Sequence, residues 1–143
     1  MTVYLVDENV LRELAPKGNA HVRAWRARVD DFELRISVMT FFEKRRGWER
    51  QRRSDPDRAA KGLAALDALQ AAFRDRTVPI DEEIMAEWAR LLGAKDKNQR
   101  DMALAATARV RGFVLVTRNV EDFRGRGVQV LNPFKPDPAI ELV

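Results

Sequence analysis

The chain has 143 residues, of which 45% are hydrophobic and 34% charged, and it contains no cysteine. The hydrophobic share excludes a disordered chain, and the lack of cysteine excludes disulfides, thiolate zinc sites and cysteine nucleophiles. This length is typical of one domain, so we expect a single domain over residues 1–143. The sequence has neither a signal-like leader nor an apolar run long enough to span a membrane, which predicts a cytoplasmic protein without a membrane partner.

Short apolar runs alternate with segments of helical periodicity. The predicted strands are 3–6, 34–38, 77–80, 113–116 and 128–131, and the predicted helices are 8–14, 20–29, a segment from Thr40 through Trp48, 57–73, 82–92 and 98–110. The proline-rich segment 132–138 is not expected to continue regular structure. Strands separated by helices require right-handed crossovers. The predicted fold is therefore α/β, a three-layer α/β/α sandwich with a mainly parallel central sheet.

Four acidic residues stand close to the ends of predicted strands or the starts of predicted helices. They are Asp7, Glu43, Asp101 and Asp122. Because ligand sites of open parallel sheets form at the carboxyl ends of the strands, we expect the four carboxylates to converge at one end of the sheet. Asp122, taken alone, also fits an ordinary turn.

The other three acids have structural interpretations as well. Asp7 could cap the helix that follows it. Glu43 could form a surface pair with Arg46 one helical turn away. Asp101 stands three residues after Asn98, which is typical of a helix cap. These alternatives stay open for each acid taken alone.

Convergence of the four acids would have an electrostatic consequence. Two carboxylates about 4 Å apart repel each other by roughly 4 kcal/mol at an effective dielectric constant of about 20. Such a group must bind either protons or cations. Hard divalent cations prefer oxygen ligands, and one or two of them could support hydrolysis of a phosphodiester. By contrast, the acids at 81–83 are typical of a helix N-terminus and predict a cap.

A strongly basic segment lies in the middle of the chain. Residues 44–53 include six basic side chains, and the whole chain carries a formal net charge of +4. The segment favours a polyanionic partner, although a solvated helix face would have the same composition. The single histidine, His21, is expected to be an ordinary surface residue.

Five sequence blocks resemble the PIN-domain ribonucleases of the VapC toxin type. They cover residues 6–10, 40–47, 100–107, 115–123 and 130–133, in the order and spacing of the four acids. The resemblance implies an endoribonuclease that depends on Mg²⁺ or Mn²⁺ and acts as the toxin of a toxin–antitoxin pair. It also implies that the protein forms a homodimer and that its antitoxin lays a peptide along the active-site groove.

The same resemblance implies roles for individual residues. Asp7, Glu43, Asp101 and Asp122 would be the catalytic, metal-binding acids, with Asp7 and Asp101 the most direct ligands. Asn9, Thr117 and Asn119 would be supporting polar residues. Residues that could contact the phosphates of RNA are Arg45, Arg46, Arg50 and Arg118, joined by Arg52, Arg53, Arg124 and Arg126.

One position departs from the family pattern. Glu8 stands where a small hydroxyl residue is common, and we expect it to turn outward in the first turn of the helix. The added charge makes a catalytically weak or inactive PIN-fold module that binds RNA or protein the main alternative function. A phosphatase or a nucleotide-binding protein is a third possibility, which the absence of a glycine-rich phosphate loop disfavours.

Overall fold

A computed structural model describes residues 1–95 and 97–143. Six strands are present in this part of the chain: Tyr4–Val6 (β1), Leu34–Ser37 (β2), Thr77–Val78 (β3), Val114–Val116 (β4), Gln129–Leu131 (β5) and Glu141–Leu142 (β6). The α-helices are Glu8–Leu11 (α1), Ala20–Arg26 (α2), Val38–Gln51 (α3), Pro56–Ala72 (α4), Glu82–Leu92 (α5) and Gln99–Arg111 (α6). Strands and helices thus alternate along most of the chain, as the periodicity predicts.

The strands form one sheet in the order β3-β2-β1-β4-β5-β6. The first five are parallel, and β6 pairs antiparallel with β5. The chain builds outward from β1 through β2 to β3, then returns to place β4 on the other side of β1. The strand order therefore reverses between β1 and β4, and the crevice at their carboxyl ends is where α/β sheets bind ligands.

Alternation along the strands divides the core between the two faces of the sheet. Tyr4 and Val6 face one hydrophobic cluster, with side chains from α1 to α4, whereas Leu5 faces the other, with side chains from α5 and α6. In β4, Leu115 likewise points away from its two neighbours. Helices cover both faces of the sheet, so the predicted three-layer sandwich is confirmed.

Helix caps explain where several elements begin. The side chains of Asp55 and Asp81 accept hydrogen bonds from the backbone N–H groups of Arg58 (3.2 Å) and Ile84 (3.0 Å). Pro56 occupies the first turn of α4. The acids at 81–83 therefore form a cap and a first helical turn, as predicted.

Some boundaries differ from the prediction. Val38, predicted to end β2, begins α3, because the Ser37 hydroxyl accepts the backbone N–H of Met39 (3.0 Å) and starts the helix earlier. Helix α2 ends at Arg26 and not at residue 29. The strand β6 was not predicted, since it has only two residues. None of the helices in the described ranges is long and apolar enough to cross a membrane.

The central strand β4 provides a test of the packing. Leu115 is 0% exposed, whereas Leu142 on the edge strand β6 is 72% exposed. We expect Leu115→Ala to lower the free energy of unfolding by about 2–5 kcal/mol, because a buried cavity replaces the side chain. Leu142→Ala, the matched control, should change it by less than about 0.5 kcal/mol. Urea denaturation measures both values, and equal effects would contradict the described packing.

Candidate active site

Asp7 lies directly after β1, at the point where the strand order reverses. It is only 2% exposed, and its carboxylate accepts three hydrogen bonds. The backbone N–H of Glu8 donates to Oδ1 (2.7 Å), and the Thr117 hydroxyl (2.9 Å) and the Asn9 amide (3.3 Å) donate to Oδ2. Asp7 is therefore the N-cap of α1, which confirms that interpretation, and it is also a partner of the segment after β4.

Thr117 connects the ends of two neighbouring strands. It follows β4 and is fully buried, and its hydroxyl oxygen also accepts the backbone N–H of Asn119 (3.2 Å). The side-chain oxygen of Asn9 accepts the backbone N–H of Arg118 (3.1 Å). Thr117 and Asn9 thus fix the orientation of the Asp7 carboxylate, while Asn119 contributes its backbone N–H to the network.

Asp101 lies in the first turn of α6, with its side chain 15% exposed. Burial raises the pKa of Asp101 above its ordinary value, the Arg100 guanidinium lowers it, and the negative charges of Asp7 and Asp122 raise it further. Asp7 and Asp122 therefore each lie within electrostatic reach of Asp101. The side chain of Asn98 makes no capping hydrogen bond, so the expected cap at this helix start does not form through it.

Asp122 is exposed on a short 3-10 helix, Val120–Phe123, that follows β4. The fully buried Phe123 anchors this helix against the sheet. The backbone N–H of Asp122 donates to the carbonyl of Asn119 (3.1 Å). Asp122 thus belongs to a turn, and that turn places its carboxylate on the same side as Asp101.

Glu43 lies on α3, in the wall of a groove beside the other acids. The groove has a volume of about 360 Å³, and Glu8, Lys44 and Arg100 also line it. In the described part of the chain Glu43 forms no ion pair with Arg46, so the expected surface pair is absent. Arg100 stands between this groove and Asp101, with its Nη2 atom 3.4 Å from Oδ1 of Asp101.

Glu8 is part of the same groove. Its carboxylate lies 3.6 Å from the Lys44 ammonium and 4.0 Å from the Arg12 guanidinium. Glu8 is in the first turn of α1, as predicted, but it turns toward α3 and not simply outward. Its charge is therefore balanced by two cations.

The acids have the donor chemistry for a divalent cation. An ionised carboxylate has about four acceptor sites, of which hydrogen bonds take three at Asp7 and one at Asp101. Sites on both carboxylates therefore remain for a hard cation, and the mutual repulsion of the acids favours one. Within residues 1–95 and 97–143, no three Asp, Glu, His or Cys side chains are arranged to hold one ion. A shared metal site formed by the four acids stays a prediction.

The basic residues fall into two groups. Arg45 pairs with Asp67 of α4, and Arg118 lies over the Phe134 ring, 4.9 Å from its centroid. Arg46 and Arg50 are exposed on α3 and form no ion pair within the described ranges. His21 is exposed on α2, which agrees with its assignment to the surface. The second group, Arg46 and Arg50, has its charge available to an anionic partner.

Two residues that the sequence did not single out belong to this region. Arg100 contacts Asp101 and also lines the groove. Its position next to Asp101 in the sequence could have indicated that it belongs to the site. Thr40 is 1% exposed, and its hydroxyl finds no hydrogen-bond partner among the described residues. Thr40 stands one helical turn before Glu43, on the side of α3 that faces the core. No sequence pattern distinguishes it from an ordinary buried threonine.

The chain is similar to several known proteins. Toxin FitB of Neisseria gonorrhoeae is 26% identical over 141 residues, covering 91% of this chain and 97% of FitB. The crystal structure of FitAcB from Neisseria gonorrhoeae matches with a TM-score of 0.66 and 26% identity, over 92% of this chain and 99% of that one. DNA-bound VapBC from Salmonella typhimurium, 22% identical, matches in fold with a TM-score of 0.69, over 91% and 97% of the two chains.

The chain also matches a family model over most of its length. The model described as PIN domain covers residues 4–126, which include all four acids. The resemblance to VapC-type PIN proteins that the sequence blocks suggested is confirmed. This protein belongs to the PIN domain family.

Proposed function

We propose that the protein is an endoribonuclease that depends on Mg²⁺ or Mn²⁺ and acts as the toxin of a toxin–antitoxin pair. The observation that carries the proposal is that Asp7 lies buried where the strand order reverses between β1 and β4, with Asp101 within electrostatic reach of both Asp7 and Asp122. Capping a helix requires one acid, whereas several acids close together repel each other and lower the stability of the fold. Such a cluster is typical of a functional site. It suits a site that gathers a cation and a phosphodiester.

Asp7 and Asp101 would be the main ligands of the cation, with Asp122 and Glu43 at the edges of the site. A bound Mg²⁺ would activate a water molecule and offset the charge that develops on the phosphodiester. The protein holds the Asp7 carboxylate in one orientation through Thr117 and Asn9. Burial of Asp101 lowers the local dielectric constant and so strengthens its attraction for a cation.

The named relatives support the toxin part of the proposal. FitB, which is 26% identical to this chain, is called a toxin. Full-length coverage in both directions means that the similarity extends over the whole chain and not over one motif. The FitB relationship carries the argument on function, because the more distant structures show the fold alone.

Loss of either central acid should remove cleavage. We expect Asp7→Asn and Asp101→Asn to lower the rate of RNA hydrolysis by about a hundredfold or more, the scale of losing one group that stabilises transition-state charge. Asp57→Asn, which neutralises an exposed acid on α4, is the matched control and should cleave normally. Cleavage of total RNA with Mg²⁺, with and without chelator, measures the rates. If both central variants cut RNA as fast as the parent, the assignment fails, and salt-sensitive binding without cleavage would indicate the inactive module.

Asp101 should also link stability to pH. A carboxyl group whose pKa is raised by burial stabilises the fold when protonated, and that contribution is lost as the pH rises through its folded-state pKa. We therefore expect Asp101→Asn to raise the melting temperature at neutral pH, and to raise it less below the ordinary aspartate pKa of about 3.9.

Addition of Mg²⁺ extends this measurement without relying on activity. The cation binds only the folded state, so it should raise the melting temperature of the parent at neutral pH more than that of Asp101→Asn. Equal Mg²⁺ shifts in the two proteins would show that Asp101 is not a ligand.

The cognate antitoxin and the homodimer form a separate prediction. We expect a small protein encoded beside this chain to copurify with it as a complex and to suppress cleavage. We also expect the purified chain to have the mass of a dimer by light scattering. A chain that remains monomeric would contradict the homodimer. Cleavage that is not suppressed when the neighbouring protein is coexpressed would contradict the toxin–antitoxin assignment while leaving the nuclease assignment intact.

A further inference from the structure

The groove beside the acids has features that the hydrolytic site does not use. Its walls come mainly from α3, with Arg58 of α4, Glu8 of α1 and Arg100 of α6, and it meets the acidic residues at Glu43 and Arg100. A volume of about 360 Å³ lies within the usual range of small-ligand sites. Three side chains of the groove have no part in the proposed hydrolysis. They are Trp48, Gln51 and Arg58.

Trp48 is placed in the groove by a glycine. Gly62 lies in the middle of α4, where glycine costs about 1 kcal/mol relative to alanine. A Cβ atom at Gly62 would overlap the indole of Trp48, so only glycine lets the ring lie this close to the helix backbone. The ring is only partly buried and also lines the groove. An aromatic ring in that position offers a surface on which a nucleobase can stack.

Gln51 provides a second, independent observation. Its side-chain oxygen is buried and has no hydrogen-bond partner among the described residues, although the residue lines the groove. A buried polar atom without a partner costs about 1–3 kcal/mol. The edge of a nucleobase carries the donors that such an amide requires, and an amide can also donate in return.

Positive charge completes the groove. Arg58 is exposed at the first turn of α4, and its guanidinium carbon lies 6.0 Å from the centroid of the Trp48 ring. Arg58 forms no ion pair in the part of the chain that the structure describes, unlike Lys44, which is paired with Glu8. Its charge is available to a phosphate that approaches along α3 and α4.

We propose that this groove binds one unpaired nucleotide of a single-stranded RNA substrate, next to the phosphodiester at the acidic site. The base stacks on Trp48 and meets the amide of Gln51, and its phosphate lies near Arg58. Bases in a duplex are stacked on each other and cannot enter such a groove, so the subsite requires an unpaired base. The inference rests on the proposed nuclease function, since it places the nucleotide relative to the acids.

Binding measured without cleavage tests this subsite on its own. The probe is a short, labelled, single-stranded oligoribonucleotide of mixed sequence in chelator, compared with the same strand in a duplex. We expect the parent to bind the single strand more tightly, and Trp48→Leu to weaken that binding by about tenfold, as for loss of one stacked base. Gln51→Leu should weaken it by a few-fold while the melting temperature stays equal or rises, because the unpaired buried atom is removed.

Charge and folding are controlled separately. Arg58→Gln should weaken binding by a few-fold, whereas Arg28→Gln, which removes the same charge from an exposed turn outside the groove, should not. Because binding is measured in chelator and without cleavage, a failed nuclease assignment would leave this result unaffected. Unchanged binding by folded Gln51→Leu and Arg58→Gln, or equal binding of duplex and single strand, would overturn the subsite.

Discussion

The hydrogen bond from Thr117 to Asp7 connects the ends of the two central strands, and the site depends on it. Asp7 is buried, and an unpaired buried carboxylate is costly to fold around. The three donors offset that cost, and the Thr117 hydroxyl is brought near only by the parallel pairing of β1 with β4. The sheet topology and the orientation of the carboxylate are therefore one constraint: β1 and β4 cannot separate without exposing Asp7 to an environment that lacks this partner.

Acidic and basic side chains lie close together around the Asp7 carboxylate. Asp101 and Asp122 add negative charge to the crevice. Burial raises the pKa of Asp101, and the charges of Asp7 and Asp122 raise it further. Arg100 relieves part of it from the groove side, as Lys44 does for Glu8. Sites tuned for function often retain such unfavourable charge, because a structure optimised for stability alone would replace Asp101 by a neutral residue. This conflict of charges is what supports the proposed cation at the site.

The sequence predicts the parts of this arrangement that depend on local patterns. The apolar runs of β1 and β4 clearly predict strands, and the position of Asp7 directly after the first run predicts that it lies at the carboxyl end of β1. The caps at Asp55 and Asp81 are equally local. The pairing of Asp7 with Thr117, over a separation of 110 residues, follows only from the strand order.

Other features could not be read from the sequence, because their signals are shared with ordinary core residues. Trp48 lies on an apolar stripe that is typical of a buried helix face. In the sequence, Gly62 looks like a residue that only weakens its helix. Its use is visible only in the structure, where the indole of Trp48 lies against its backbone. Strand β6 is missed because two residues carry no periodicity, and its pairing with β5 is decided by the edge that β5 leaves open.

The groove and the acids are related by α3, which carries both. Glu43 and Trp48 lie just over one turn apart on this helix, with Lys44 between them turned toward Glu8 of α1. A helix of 14 residues that begins at a buried serine cap and packs on α4 is a rigid support, and it fixes the spacing between a bound base and the acids. A single-stranded RNA with one base stacked on Trp48 would have its backbone beside Glu43 and Arg100 without any change in the protein fold. The charge of Glu8, which by itself opposes binding of a polyanion, is balanced by Lys44 and Arg12. Arg58 is then the groove cation without an ion pair among the described residues, since Arg100 is paired with Asp101.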